Sequence, residues 1–92
     1  MNIYDQISIK IIKEQELIIG PVAWYEAQKV SGLIVENSHT EVRIEGDGSV
    51  VIDRLVSQYE YLYGRASREV CKEAAASLIA SLSPAEIPSS LR

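Results

Sequence analysis

One cysteine, one histidine, one tryptophan and no phenylalanine in 92 residues remove several kinds of chemistry before any pattern is read. A lone Cys71 cannot close an internal disulfide or supply a multi-cysteine metal site, and it points to a reducing compartment. A lone His39 has no second histidine or nearby cysteine with which to share a metal. No apolar run approaches the ~20 residues that a bilayer span needs, and Met1-Asn2-Ile3-Tyr4-Asp5 carries no basic leader ahead of an apolar stretch. A soluble, cytoplasmic protein with no membrane contact is the expectation. Positive charge is scarce too. Nine Lys and Arg against 13 Asp and Glu leave a net charge of -4, which argues against a chain devoted to nucleic acid.

What the chain does have is a packing design used twice. Leu17-Ile18-Ile19-Gly20-Pro21-Val22-Ala23-Trp24-Tyr25-Glu26-Ala27 runs from aliphatics through a Gly-Pro joint into small residues at helical spacing. Forty-four positions on stands Tyr61-Leu62-Tyr63-Gly64-Arg65-Ala66-Ser67-Arg68-Glu69-Val70-Cys71. Aligning 11–30 with 55–74 gives two identities, Glu16 with Glu60 and Gly20 with Gly64, but residue class is kept at Ile11/Leu55, Ile12/Val56, Ile18/Leu62, Ala23/Ser67, Ala27/Cys71 and Val30/Ala74. Duplication and independent solution of one packing problem both explain this.

The elements follow from period and punctuation. On a helical wheel Ile3, Tyr4, Ile7, Ile11, Ile12, Ile18 and Ile19 gather on one half, with Asp5, Lys10, Lys13 and Glu16 opposite. Residues 7–11 also alternate strictly and are rich in β-branched isoleucine, so residues 3–12 admit a strand. Asn2 with Asp5 as an N-cap pair and the helix formers of 13–17 favour the helix. Pro21 suits the first turn of a second helix, which Ser31-Gly32 should end. Residues 33–36 and 41–45, around the polar turn 37–40, read as a β-hairpin. Asp47 or Ser49 then caps a third helix whose stripe is Val51, Leu55, Tyr59 and Leu62, widened by Val56 and Tyr63. Beyond Gly64, Ser67, Cys71, Ala74 and Leu78 form a narrow face of mostly small side chains. Ser83-Pro84-Ala85-Glu86 is a capping box that Pro88 cuts to about one turn, leaving 83–92 as a partly ordered tail. The expected fold is one predominantly α (α+β) domain over 1–92, with two helix-Gly-helix units around a hairpin. Gly20, Ala23, Ala27, Gly64, Ser67, Cys71 and Ala74 are its expected helix-packing positions.

The string Ile19-Gly20-Pro21-Val22-Ala23, following an amphipathic helix, resembles the I-G-P-[IV]-A motif of small domains of unknown function in cyanobacteria and other bacteria, some appended to kinases and response regulators. The resemblance covers 11–30 and 51–74. It implies a mostly helical regulatory or interaction module, with no catalytic residues to carry over.

Candidates for chemistry are few. His39 offers a general acid or metal ligand, but its setting, Ser38-His39-Thr40, reads as a solvated turn. Asp47 lacks the alternating ligands of a calcium loop. Cys71 could be a nucleophile or redox switch, yet it falls on the small-residue face in register with Ala27 and reads as packing. Arg65, Arg68 and Lys72 share one helical stripe, a solvated face or, with Arg54, a polyanion contact; Glu36, Glu41, Glu45 and Asp47 make the hairpin acidic. Trp24, Tyr25 and Tyr61 are the aromatic interface candidates, with Trp24 and Tyr25 stacking on a second copy. The expected function is therefore a non-enzymatic interaction or regulatory module, without cofactor or metal, acting as a homodimer with a further, unidentified protein partner in signalling or scaffolding. A polyanion binder, or a small ligand-binding protein or enzyme using His39 or Cys71, are the alternatives.

Overall fold

The computed structural model describes residues 2–36 and 41–92. Its elements run α1 (Ile3–Ile19), α2 (Val22–Ala27), β1 (Leu33–Glu36), β2 (Glu41–Ile44), α3 (Gly48–Tyr63) and α4 (Arg65–Ile79), followed by 3-10 turns at Pro84–Glu86 and Ser89–Leu91. The helix-hairpin-helix order is the one expected from the sequence.

Residues 3–12 are helical, because the i, i+4 spacing buries more than the alternation would. Ile7, Ser8, Ile11, Ile12 and Gln15 go inside while Lys10 stays out. Asn2 caps the start, its Oδ1 accepting from Asp5 N–H at 2.9 Å. The wheel overreaches at the other end: Ile18 is 64% exposed, because the buried stripe stops at Gln15 and the last turn projects past the core. The same holds in α3. Val51, Ile52, Leu55, Val56 and Tyr59 are buried, but Leu62 and Tyr63 are each 41% exposed. Asp47 is the cap of α3, accepting from Ser49 N–H at 3.0 Å and Val50 N–H at 3.3 Å.

The two joints have one geometry. Gly20 (φ 80°, ψ -164°) and Gly64 (φ 88°, ψ -177°) occupy a region that is essentially glycine's alone. Each glycine N–H closes the helix before it, on the Glu16 carbonyl at 2.9 Å and the Glu60 carbonyl at 2.8 Å. Each glycine carbonyl opens the helix after it, accepting from Ala23 N–H at 3.0 Å and from Ser67 N–H at 3.1 Å. Neither glycine serves as the close-packing position expected of it: a Cβ at either would meet nothing within 4 Å. Backbone conformation, not space, demands them. The packing residues proper are Ala23, Ala27, Ser67, Cys71 and Ala74, all buried. α2 also stops earlier than expected, at Ala27, and a turn carries the still-buried Val30 to the hairpin.

The two units meet in a reciprocal, approximately two-fold arrangement. Gln15 Nε2 donates to the Ser67 carbonyl at 3.1 Å, and Tyr59, the counterpart of Gln15, donates its hydroxyl to the carbonyl of Ala23, the counterpart of Ser67, at 2.6 Å. Near the axis the ring of Tyr4 lies against its own counterpart, Gly48, where a Cβ would come within 2.5 Å of it. Gln15 and Ser67 lie close before Gly20 and close after Gly64, so both joints sit at one end of the molecule. The Tyr4–Gly48 contact marks the other.

Hairpin and tail cover the flanks. β1 and β2 pair antiparallel, Leu33 opposite Ile44 and Val35 opposite Val42, with Leu33 and Val42 buried. β2 lies along α1, where Asp5 Oδ1 accepts from Ile44 N–H at 3.0 Å. The tail is not loose. The capping box forms, with Glu86 Oε1 accepting from Ser83 N–H and Oγ at 2.9 Å each. Asp53 then accepts from Ser90 N–H and Ser89 Oγ, also at 2.9 Å, which seats Pro88, Ser90 and Leu91 in the core beside α3 and α4. A carboxylate capping this last turn is what holds the chain end in place.

Candidate interaction surface

Of the two residues singled out for covalent or metal chemistry, Cys71 is buried and His39 lies outside the described residues. Cys71 is fully buried beside Gln15 Nε2 at 3.5 Å, and burial pushes its thiol up to about 11, which leaves it protonated and unreactive at neutral pH. Burial likewise raises Tyr59 far above the ordinary phenol range. His39 lies outside the described residues. Among the described residues no group of three His, Cys, Asp or Glu side chains could hold a metal ion, and no helix is long and apolar enough to cross a membrane.

The basic stripe is largely consumed within the fold. Arg68 grips Glu60 through two hydrogen bonds at 3.0 and 2.8 Å, and its Nη1 reaches the Ser90 carbonyl at 3.5 Å. That guanidinium holds the Glu60 carboxyl below its usual range. Lys72 lies 3.9 Å from Glu69, and Arg54 donates to the Ser31 carbonyl at 3.1 Å. Arg65 is the member left exposed; it makes no hydrogen bond or close ion pair among the described residues, though its charge helps hold down the Glu60 carboxyl. Three phosphate-ready cations in a row, as the spacing suggested, are therefore not presented.

The aromatic candidates divide. Trp24 is 3% exposed and belongs to the core, so the expected self-stacking face cannot include it; α2 turns the indole inward on the side it shares with the buried Ala23 and Ala27. Tyr25, 59% exposed, points out with Lys29 Nζ 5.1 Å from its ring centre. Tyr61, 86% exposed, is the most open large hydrophobic among the described residues.

What the structure adds is Leu17, 80% exposed, standing at the position of the first unit that Tyr61 holds in the second. With Ile18, Val22 and Tyr25 it makes one apolar elbow around Gly20. Tyr61, Leu62 and Tyr63 make another before Gly64. The signal was in the sequence: three consecutive apolar residues on a helix are ~100° apart, so Leu17-Ile18-Ile19 and Tyr61-Leu62-Tyr63 cannot all face one core. Each elbow borders an open groove. The first groove runs between α1 and α4, about 550 Å³, past Lys10, Glu14, Ile18 and Ala74. The second, about 560 Å³, lies between α3 and the turn after α2, past Val30, Arg54, Gln58 and Tyr61. Lys10/Arg54, Glu14/Gln58 and Ala74/Val30 are counterparts, so the two grooves are one feature repeated. The elbows offer apolar contact area, and the grooves beside them are lined by charged and polar side chains as well as apolar ones.

No family model, curated protein or solved structure matches the chain.

Proposed function

We propose that the protein is a non-enzymatic interaction module that works as a homodimer, in a signalling or scaffolding setting. The observation that carries this reading is the exposure of Leu17 and Tyr61 at equivalent positions of the two units. Burying a side chain of that size contributes ~1.5–3 kcal/mol, and the seven exposed ones flanking the two joints are the kind of apolar surface that marks a protein contact. The helix-Gly-Pro string, with its resemblance to small modules appended to kinases and response regulators, supports the setting. A homodimer is favoured over an unrelated partner because a patch already built on a two-fold is readily self-complementary.

Sedimentation equilibrium tests the reading. The expected result is a dimer at micromolar concentration, with a melting temperature that rises with protein concentration, and a monomer after Leu17→Glu together with Tyr61→Glu. A wild-type chain that stays monomeric up to hundreds of micromolar would overturn it.

A further inference from the structure

We infer that a second copy of this chain docks crosswise, the Leu17 elbow of each protomer meeting the Tyr61 elbow of the other, with Glu16 of each facing Arg65 of the other. This rests on the self-association proposed above and adds its geometry. The two elbows are alike in apolar character and unlike in charge. In the second unit the conserved-class carboxylate of the joint, Glu60, is already gripped by Arg68. In the first unit the counterpart of Arg68 is Trp24, which is buried, so Glu16 has no cation within ion-pair distance among the described residues. The reverse holds one position past each glycine. The first unit has Pro21 there and the second has Arg65, exposed and without an ion pair among the described residues. One elbow thus carries an unpaired carboxylate, and the other a surplus cation, since Arg68 and Arg65 both act on the single Glu60.

That asymmetry selects the docking mode. Like on like would bring Glu16 against Glu16 and Arg65 against Arg65, which opposes equal charges at the edge of an apolar contact. Unlike on unlike makes two Glu16–Arg65 pairs and sets the aromatic elbow of Tyr61, Leu62 and Tyr63 against the aliphatic one of Leu17, Ile18 and Val22. Both contacts form at once under a single true two-fold, since the elbows share one end of the molecule. The hairpin edge, with Glu41 and Arg43 and Glu45 exposed, stays free.

Charge reversal with rescue reads this directly. Glu16→Arg and Arg65→Glu each raise the dimer dissociation constant roughly tenfold or more, and the double variant returns it to within about threefold of wild type. Glu41→Arg, on the hairpin, leaves it unchanged. A second measurement does not depend on electrostatics. Leu17→Cys and Tyr61→Cys proteins, mixed and oxidised, cross-link to each other faster than either does to itself; Cys71 is too buried to interfere. A dimer indifferent to both charges, or one cross-linking Leu17→Cys mainly to itself, or one weakened only by Glu41→Arg, overturns the crosswise mode while leaving self-association standing. A monomeric wild type overturns both.

Discussion

The two helix-Gly-helix units share a backbone joint and differ in what fills the space beyond it. In the first, Trp24 goes into the core and the chain leaves for the hairpin soon after. In the second, the same position holds Arg68, which is tied to Glu60 and the Ser90 carbonyl, and apolar cover comes from the end of the chain, where Pro88 and Leu91 are buried. An indole in one unit does the work that a guanidinium and a folded-back tail do in the other. The lesson is that the joint is specified locally, by a glycine and its two backbone hydrogen bonds, while the filling beside it is free to change provided that every polar group brought in finds a partner.

The comparison breaks most sharply at that shared position. Trp24→Ala should cost ~3–5 kcal/mol by urea denaturation, a buried aromatic removed without replacement. Arg68→Ala, losing a half-exposed ion pair, should cost only about 1 kcal/mol. Equal costs would mean that the two units are not filled differently after all. The joints themselves should behave alike. Gly20→Ala and Gly64→Ala are each expected to cost ~1–3 kcal/mol, because both glycines sit at positive φ with open space around them and the penalty is purely conformational. Values differing by more than about 1 kcal/mol would show that the joints are equivalent in shape only.

The tail that completes the second unit gives a pH test. Burial works against the charge of Asp53, but the hydrogen bonds from Ser90 and Ser89 outweigh it and hold the carboxyl below its ordinary 3.8. A depressed folded-state value contributes stability that is present above the unfolded value and is lost as pH falls through the folded one. Stability should therefore drop below pH ~4 more steeply in the wild type than in Asp53→Asn, and Asp53→Ala should cost ~1 kcal/mol at neutral pH through the lost cap. Parallel acid limbs in the two proteins would detach the tail from the argument. The smallest effect is expected at Ser8, whose buried hydroxyl has no hydrogen-bond partner and whose counterpart is the apolar Ile52. Ser8→Ala should leave stability unchanged or raise it by up to about 1 kcal/mol, and a loss above that would reveal a partner for the hydroxyl.

Much of this was legible from residue order. Asn2, Asp47 and the Ser83–Glu86 box cap the turns that they announce, and the glycines end the helices that they interrupt, because capping and positive-φ geometry depend on neighbours within a few positions. The hairpin was legible from its two extended runs and the polar turn between them, while the pairing of Leu33 with Ile44 came from the structure. The candidate surface was half legible. Tyr25 and Tyr61 were expected outside, while Ile18 was placed on the apolar half of α1, Leu17 was not singled out, and Trp24 was offered to a self-stacking face although it is core.

The sequence by itself determined where α1 and α3 start and stop, which side of each is apolar, and that the chain is built as two similar units. Only the tertiary structure decided that Trp24 is buried and Leu17 is not, that Arg68 spends its charge on Glu60, that the last residues are core rather than tail, and that the two units meet in an approximately two-fold arrangement sealed by Gln15 on Ser67 and Tyr59 on Ala23. Helix periodicity reports the direction in which a side chain points, but not how far along the helix its neighbours extend. That reach is set by residues some 36 to 56 positions away in the chain, Asp53 for the tail and Gln15 for α4 among them.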